Sequence, residues 1–507
     1  MSIIIGRRAF LGSAAALPLL RVPARAARTP GTLRFGLSAY PPNLAPWLNA
    51  GGATGAVVSL IHRGLLSYGP DGKLRGELAE RWEADGKDWV FHLRDATFHN
   101  GNKVTAADVK WSLEQVAAER STAYMRAQFQ NVDRIDTPDD RTVRLVMKQP
   151  MATIPEWLAN YFMPMVARDS IERGGPGIGA GPFVLKSMER GVSIDLVRFD
   201  KYYKPGLPKL QAIRIVAYAD ENARVAALQA GDVDLIDYVP WQSMAGIEAD
   251  AKLRLTTQNG PFMYLTFNGK SGPFSNALVR QAVGFAVNRD DVIRSAFFGR
   301  GAPLAGVPLM PDSPFYDKAR AEYFRHDPER AKALLRQAGF ENGFSCTLLS
   351  TAQYGMHLSS AEVVQQNLAA VGIQAQLSTP DWASRVSLGN RGQFEIAVNG
   401  TAAEITDPDG MSSVIDNELS PSYIRSTGFT VPKLHGLLEA GRSETDFAKR
   451  KAIYDEVQQL ATEQAPIVGL CYRAQGYAMT SDVQNFTNLP GLLSFYSPIT
   501  LEEVAFG

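Results

Sequence analysis

Two kinds of hydrophobic pattern alternate along this chain, and their order predicts an α/β protein. From Thr32 onward, short period-two stretches such as Leu33, Phe35 and Leu37 read as strands. Trp89, Phe91 and Leu93 alternate likewise, and Val143, Leu145 and Met147 complete a predicted hairpin behind the turn Thr137-Pro138-Asp139-Asp140. Interleaved with them are stretches of helical period. Val109, Leu113, Val116 and Ala117 form a buried stripe behind Thr105-Ala106-Ala107-Asp108, a Thr cap with an acidic third residue. Helices are also predicted from Ala223 to Ala230, stopped by Gly231, and from Asn276 to Asn288. Another opens at Asp327-Pro328-Glu329 and ends at Gly339. Val363, Val364, Asn367, Leu368 and Val371 mark one that ends at Gly372 and feeds a strand from Ile373 to Leu377. Phe447, Tyr454, Val457 and Ala461 place the last. There is no short repeat and no low-complexity linker, so domain borders must be crossed by ordered strands.

The first residues break this pattern. Arg7-Arg8-Ala9-Phe10-Leu11 precedes the apolar run from Gly12 to Leu20, and Ala24-Arg25-Ala26 follows. A basic start, a short apolar core and an A-x-A site make residues 1–26 a signal peptide cleaved near Ala26. The paired arginines point to the twin-arginine type, with general secretory export as the alternative. No Cys at the cleavage site provides a lipid anchor, and no other stretch has the roughly 20 apolar residues a membrane span needs. The expected product is a soluble protein starting near Ala27, outside the cytoplasmic membrane.

Composition narrows the function by exclusion. Lys plus Arg and Asp plus Glu both number 52, so no net field attracts nucleic acid. At roughly 100–200 residues per domain, 507 residues allow two to four domains. The two cysteines, Cys346 and Cys471, stand apart and read as small buried hydrophobes, with a disulfide left open. The six histidines form no H-E-x-x-H, and His92 and His99 are at odd strand spacing, so no metal or cofactor is expected. No G-x-S-x-G or S-x-x-K occurs. Gly269-Lys270-Ser271 lacks the leading Gly of a phosphate loop, because position 264 is Tyr. Gly177, Gly179 and Gly181 precede a strand, whereas a dinucleotide fingerprint follows one.

Several blocks give positive evidence. Gly64-Leu65-Leu66, Pro70-Asp71-Gly72, Glu77-Leu78-Ala79-Glu80-Arg81-Trp82, Trp89-Val90-Phe91-His92-Leu93-Arg94, Phe98-His99-Asn100-Gly101 and Val104-Thr105-Ala106-Ala107-Asp108-Val109 occur in that order. Gly179-Ala180-Gly181-Pro182-Phe183, Asp200-Lys201-Tyr202-Tyr203, Ala226–Asp234, Val279–Val283 with Ala286–Arg289, and Ala331–Leu335 follow. Together they resemble the bacterial family 5 extracellular solute-binding proteins, the peptide-, dipeptide- and nickel-binding components of ABC importers. The resemblance implies a two-lobed periplasmic-binding-protein-like α/β fold with mixed sheets, flanking helices, an enlarged first lobe and a hinge of two crossing strands. Lobe I would comprise residues 27–258 and 475–507, and lobe II residues 259–474. It also implies a protein without enzymatic activity, which takes a small solute, foremost an oligopeptide or peptide-like compound, in an interlobe cleft and passes it to permease subunits in the inner membrane. The expected state is a monomer.

Peptide-binding members carry a carboxylate four residues before a Pro, and Glu404 in Glu404-Ile405-Thr406-Asp407-Pro408 matches it with a longer arm, although Thr401 replaces the family's Trp. The other candidate ligand contacts come from the residues themselves. Trp47, Trp241, Trp382 and Tyr354 lie in polar, turn-rich contexts, and Tyr40 follows the first strand. Arg385 offers a planar fork for a carboxylate, and Asn399 falls near a strand end. Two other readings stay open: an exported peptide or amide hydrolase with a nucleophile assembled from distant residues, and a sensor or chaperone on the same scaffold.

Overall fold

The computed structural model describes residues 29–48, 51–119, 121–123, 125–171 and 175–507. The predicted signal peptide lies outside the described residues. One sheet of eleven strands dominates the architecture, and a four-stranded antiparallel sheet stands beside it. At the centre of the large sheet are two unusually long strands, Leu253–Phe267 and Ile467–Thr480, paired antiparallel. Gln258 faces Gln475 and Asn259 faces Ala474, and the ladder then slips before resuming at Phe262 and Tyr472. The sequence causes the slip. Pro261 has no N–H to give the ladder, and Gly260 lies so close to the Gly491 backbone that a Cβ would come within 2.2 Å of it.

On one flank of this pair, Phe344–Leu349 lies between Ile373–Ser378 and Ile396–Thr401, parallel to both. Helices Gly355–Ala369 and Trp382–Asn390 make the two crossovers. The chain moves first to one neighbour of the Phe344–Leu349 strand and then past it to the other, so right-handed crossovers set the helices on opposite faces. Packing agrees. Ala361, Val364 and Leu368 join Met263, Leu265 and Val398 in one core, whereas Arg385 reaches Asn399 on the other face. On the other flank, Thr32–Leu37 pairs parallel with Ala212–Ala217 and with Leu235–Ile236.

The family-like run between Gly64 and Val109 is mostly scaffold. It supplies strands Ala79–Asp85 and Asp88–Leu93 and the capping box in which the Thr105 N–H donates to Asp108 at 3.0 Å. Phe91 is buried, and Trp82 and Trp89 pack partly buried against the same core. Gly181 is required by contact, since a Cβ there would meet the Ile61 carbonyl carbon at 2.5 Å.

Three expectations need adjustment. The helix expected from Asn276 to Asn288 stops at Ala286, and Asn288 caps a second helix, Arg289–Phe297, by accepting from the Asp290 and Asp291 N–H groups. The predicted hairpin turns at Asp140-Arg141, two residues later than the Pro suggested, because the strand Val132–Asp139 runs through Pro138. Phe447, expected on a buried stripe, is 54% exposed and packs its ring against Phe315 at the edge of the core. Both cysteines are buried and free, as small hydrophobes would be.

Candidate ligand cleft

In open α/β sheets, ligands gather outside the carboxyl ends of parallel strands. This sheet has two such places. On the first, Thr32–Leu37 leads to Tyr40, and Leu235–Ile236 leads to Asp237 and Tyr238. There Ser38, Tyr40, Asp237, Tyr238, Gln475 and Tyr477 line a cavity of about 350 Å³, within the usual range for small-molecule sites. The Asp237 carboxylate accepts from the Ser38 N–H at 2.7 Å and the Ser38 hydroxyl at 3.1 Å. Burial pushes its pKa up to about 6, against the pull of Arg224 and these hydrogen bonds.

On the second, Phe344–Leu349 leads to Tyr354 and His357, and Ile373–Ser378 leads to Trp382 and Arg385. Tyr354, His357 and Trp382 form a ring cluster, with Trp382 5.3 Å from Tyr354 and 5.5 Å from His357. The Arg385 guanidinium packs against both the Trp382 and Tyr423 rings, 5.1 and 5.3 Å from their centroids, which are themselves 6.0 Å apart. One of its nitrogens donates to the Val398 carbonyl and the Asn399 side chain, and Asn399 in turn donates to the Thr266 hydroxyl at 2.8 Å. Asn399 therefore positions the arginine.

Arg473, on the long strand Ile467–Thr480, joins the two places. Its Nη1 donates to the Tyr238 hydroxyl at 2.9 Å and reaches Met356 Sδ at 3.2 Å, beside His357. Burial, then Arg385 and Arg473, hold the His357 pKa down to about 3, so the imidazole is neutral between two cations.

The candidate residues thus separate. Tyr354, Trp382, Arg385 and Asn399 come together, and Tyr40 lines the facing cavity with its hydroxyl 3.1 Å from the Glu189 carbonyl. Trp47 is not among them: it is buried in the first core against Trp111, and its indole N–H donates to the Pro164 carbonyl at 2.9 Å. Trp241 braces the long central strand Ile467–Thr480 instead, donating to the Ala474 carbonyl at 2.8 Å and packing edge-on to Phe297. Glu404 joins neither group: its carbonyl accepts from Asn160 at 3.2 Å and Tyr496 at 3.3 Å, and its charge acts on Arg425. Its neighbours Asp407 and Asp409 are ion-paired to Arg450 and Arg442. Asp237, Tyr238, His357 and Arg473 were not among the residues singled out. Arg473 carried a visible signal, as the one charged residue in the buried run Ile467–Thr480.

No group of three or more His, Cys, Asp or Glu side chains among the described residues is placed to hold a metal ion, and no described helix is long and apolar enough to cross a membrane.

Two strand-end crevices meeting across a pair of crossing strands define a two-lobed solute-binding fold. The chain belongs to the bacterial extracellular solute-binding proteins of family 5, since the family described as "Bacterial extracellular solute-binding proteins, family 5 Middle" matches residues 73–418. The protein AgaA of A. tumefaciens R10, solved in complex with agropinic acid, is 39% identical, with a TM-score of 0.82 over 94% of this chain and 99% of that one. The glutathione-binding protein GsiB of Escherichia coli (strain K12) is 28% identical over 451 residues, 86% of this chain and 88% of its own. NikA from Brucella suis, solved with Fe(III)-EDTA, shares the fold at a TM-score of 0.83 and 22% identity, over 94% of this chain and all of that one. The chain is accordingly a solute-binding protein of the ABC-importer type and not an enzyme, which removes the hydrolase reading.

Proposed function

We propose that this protein captures a small polar organic solute, of opine or short-peptide size, between lobe I (27–258 and 475–507) and lobe II (259–474). The observation that carries this reading is the bridge from Arg473 to both Tyr238 and Met356, which sets the Tyr40 cavity against the Tyr354–Trp382 wall. The slip at Gly260-Pro261, beside the proposed lobe border, supports bending there. A cavity of about 350 Å³ suits a compact solute better than an extended oligopeptide, and agropinic acid and glutathione, the ligands of the two relatives, are compact. Tyr40, Tyr354 and Trp382 cover the solute, Asn399 orients Arg385 toward it, and Glu404 meets a ligand ammonium at the cleft edge. The mature chain, exported by the twin-arginine route and cut near Ala26, works in the periplasm as a monomer and delivers its solute to membrane permease subunits. Contacts to both lobes favour the closed state by population shift.

Native mass spectrometry of protein purified from its own host, followed by calorimetry with agropinic acid, glutathione and dipeptides, tests the reading. One bound solute recovered unaltered is expected. Recovery of a converted product, or a closed protein with no solute between its lobes, overturns it.

A further inference from the structure

Two buried guanidinium groups in the cleft stand without an anion. Arg385 is 1% exposed and Arg473 5% exposed, yet no Asp or Glu among the described residues pairs with either. Three of their N–H-bearing nitrogens, Arg385 Nε and Nη1 and Arg473 Nε, are buried without a hydrogen-bond partner. Other deeply buried arginines are satisfied more fully by the fold: Arg63 by Glu502, Arg450 by Asp407, Arg224 and Arg280 by carbonyls, and Arg289 by carbonyls at Nε and Nη1, with only its Nη2 left over. Removing a cation from water costs several kcal/mol unless a counter-charge and hydrogen bonds replace the solvent. The two arginines of the cleft are therefore prepared for a charge that the chain itself does not supply.

His357 refines the chemistry. It is 2% exposed, one ring nitrogen is hydrogen-bonded to the Val398 backbone, and Nδ1 is buried without a partner. A nitrogen that donates to a carbonyl fixes the tautomer, which leaves Nδ1 as a bare acceptor. A partner for this corner thus presents an anion to the guanidinium groups and an O–H or N–H to the imidazole.

We infer that Arg385, Arg473 and His357 form a subsite for a carboxylate carrying a hydroxyl or amine nearby, and that the solute of this protein is an organic acid of that kind. The inference rests on the interlobe binding reading and deepens it. The fork of a guanidinium matches a carboxylate through two parallel hydrogen bonds, and contacts to the Trp382 and Tyr423 rings restrict where Arg385 can move. Arg473, which already touches both lobes, then gains an anion on closure, so ligand charge and lobe closure are linked through one side chain.

The test uses the full mature protein, with agropinic acid, glutathione and dipeptides as probes beside their amide or ester counterparts, and reads the melting temperature and calorimetric affinity. At least one free acid is expected to bind a hundredfold or more tightly than its neutralised counterpart, and Arg385→Gln and Arg473→Met are each expected to remove that preference. Because both arginines lack a counter-charge, Arg473→Met without solute is expected to melt no lower than wild type. Acid binding that survives both substitutions overturns the inference, as does equal binding of acids and amides. A solute that binds between the lobes regardless of its carboxylate sinks the subsite and leaves the binding function standing. A protein that binds no probe and carries no solute from its host sinks both.

Discussion

Arg63 and Glu502 lie 439 positions apart in the chain and 2.7 Å apart in space. Their contact draws the C-terminal segment onto the N-terminal part of the chain, where Glu77 and Lys204 complete a buried charge cluster. Tyr202 donates its hydroxyl to the same Glu502 carboxylate at 2.7 Å. Breaking a buried pair from one side strands the remaining charge, at a cost of about 3–5 kcal/mol. Glu502→Ala is therefore expected to lower stability by roughly that amount, seen as a lower urea midpoint at unchanged slope.

The same cluster predicts an acid limit. Burial acts to raise the Glu77 pKa, but Lys204 and Arg63 prevail and bring it down to about 2. An unfolded Glu titrates near about 4.3, so the unfolded chain takes up a proton first as pH falls. The stability contributed by Glu77 is complete above that value and is lost as pH falls toward about 2. Melting curves between pH 2 and 6 should show this slope in wild type and a shallower one in Glu77→Gln.

Glu156 gives the opposite slope. Burial, then the Asp407 charge, raise its pKa to about 7, and Asp407 is fixed by two contacts to Arg450, 2.6 and 2.7 Å. The folded protein keeps the Glu156 proton after the unfolded chain has released its own near about 4.3. Its stabilisation is complete below that value and is lost as pH rises through about 7. Because Glu156 and Asp407 come from the two proposed lobes, closure should weaken over the same range. Glu156→Gln is expected to hold the melting temperature, and the scattering radius of the liganded protein, level from pH 5 to 8, where wild type drifts.

How far the sequence revealed this molecule depends on the range of the interaction. Strands and helices whose cause is local were legible: the Thr105–Asp108 capping box, the Gly231 stop and the strand after Gly372 are all present. Asn288 was misassigned because its capping role appears only once the chain turns there into a second helix. Tyr354, Trp382 and Arg385 were legible as polar-context aromatics and a fork beside them, and they do meet. Trp47 has the same sequence context but is taken up by Trp111 and Pro164, partners far along the chain. His357 and Asp237 gain their character only from burial at strand ends, which no local pattern announces.

Trp382 is placed to report on the cleft. It touches Tyr354, His357 and Tyr423, and Tyr354 is 41% exposed, open to a ligand face. Aromatic pairs contribute about 0.5–1.5 kcal/mol beyond area, so Trp382→Leu is expected to weaken solute binding up to about tenfold. The tryptophan fluorescence change on titration should vanish in this variant and persist in Trp47→Phe, whose indole is buried away from the cleft.

The hinge makes the sharpest prediction, because one substitution type should act with opposite signs at two sites. Gly260 lies against backbone: a Cβ would come within 2.2 Å of the Gly491 carbonyl and 2.4 Å of the Leu492 nitrogen. Backbone cannot rotate away as a side chain can, so Gly260→Ala must push the crossing strand from the C-terminal segment. Overpacking of this kind costs about 1–3 kcal/mol, and here it falls beside the ladder slip at the proposed lobe border. Gly436, inside the helix Pro432–Ser443, has nothing within 4 Å of a Cβ. There Ala removes only the flexibility of the unfolded chain and is expected to stabilise by about 0.5–1 kcal/mol. Thermal melts of the two variants should move in opposite directions, and only Gly260→Ala should alter solute release rates. A Gly260→Ala protein with wild-type stability and release would mean that the contact with Gly491 plays no part in holding the two halves together.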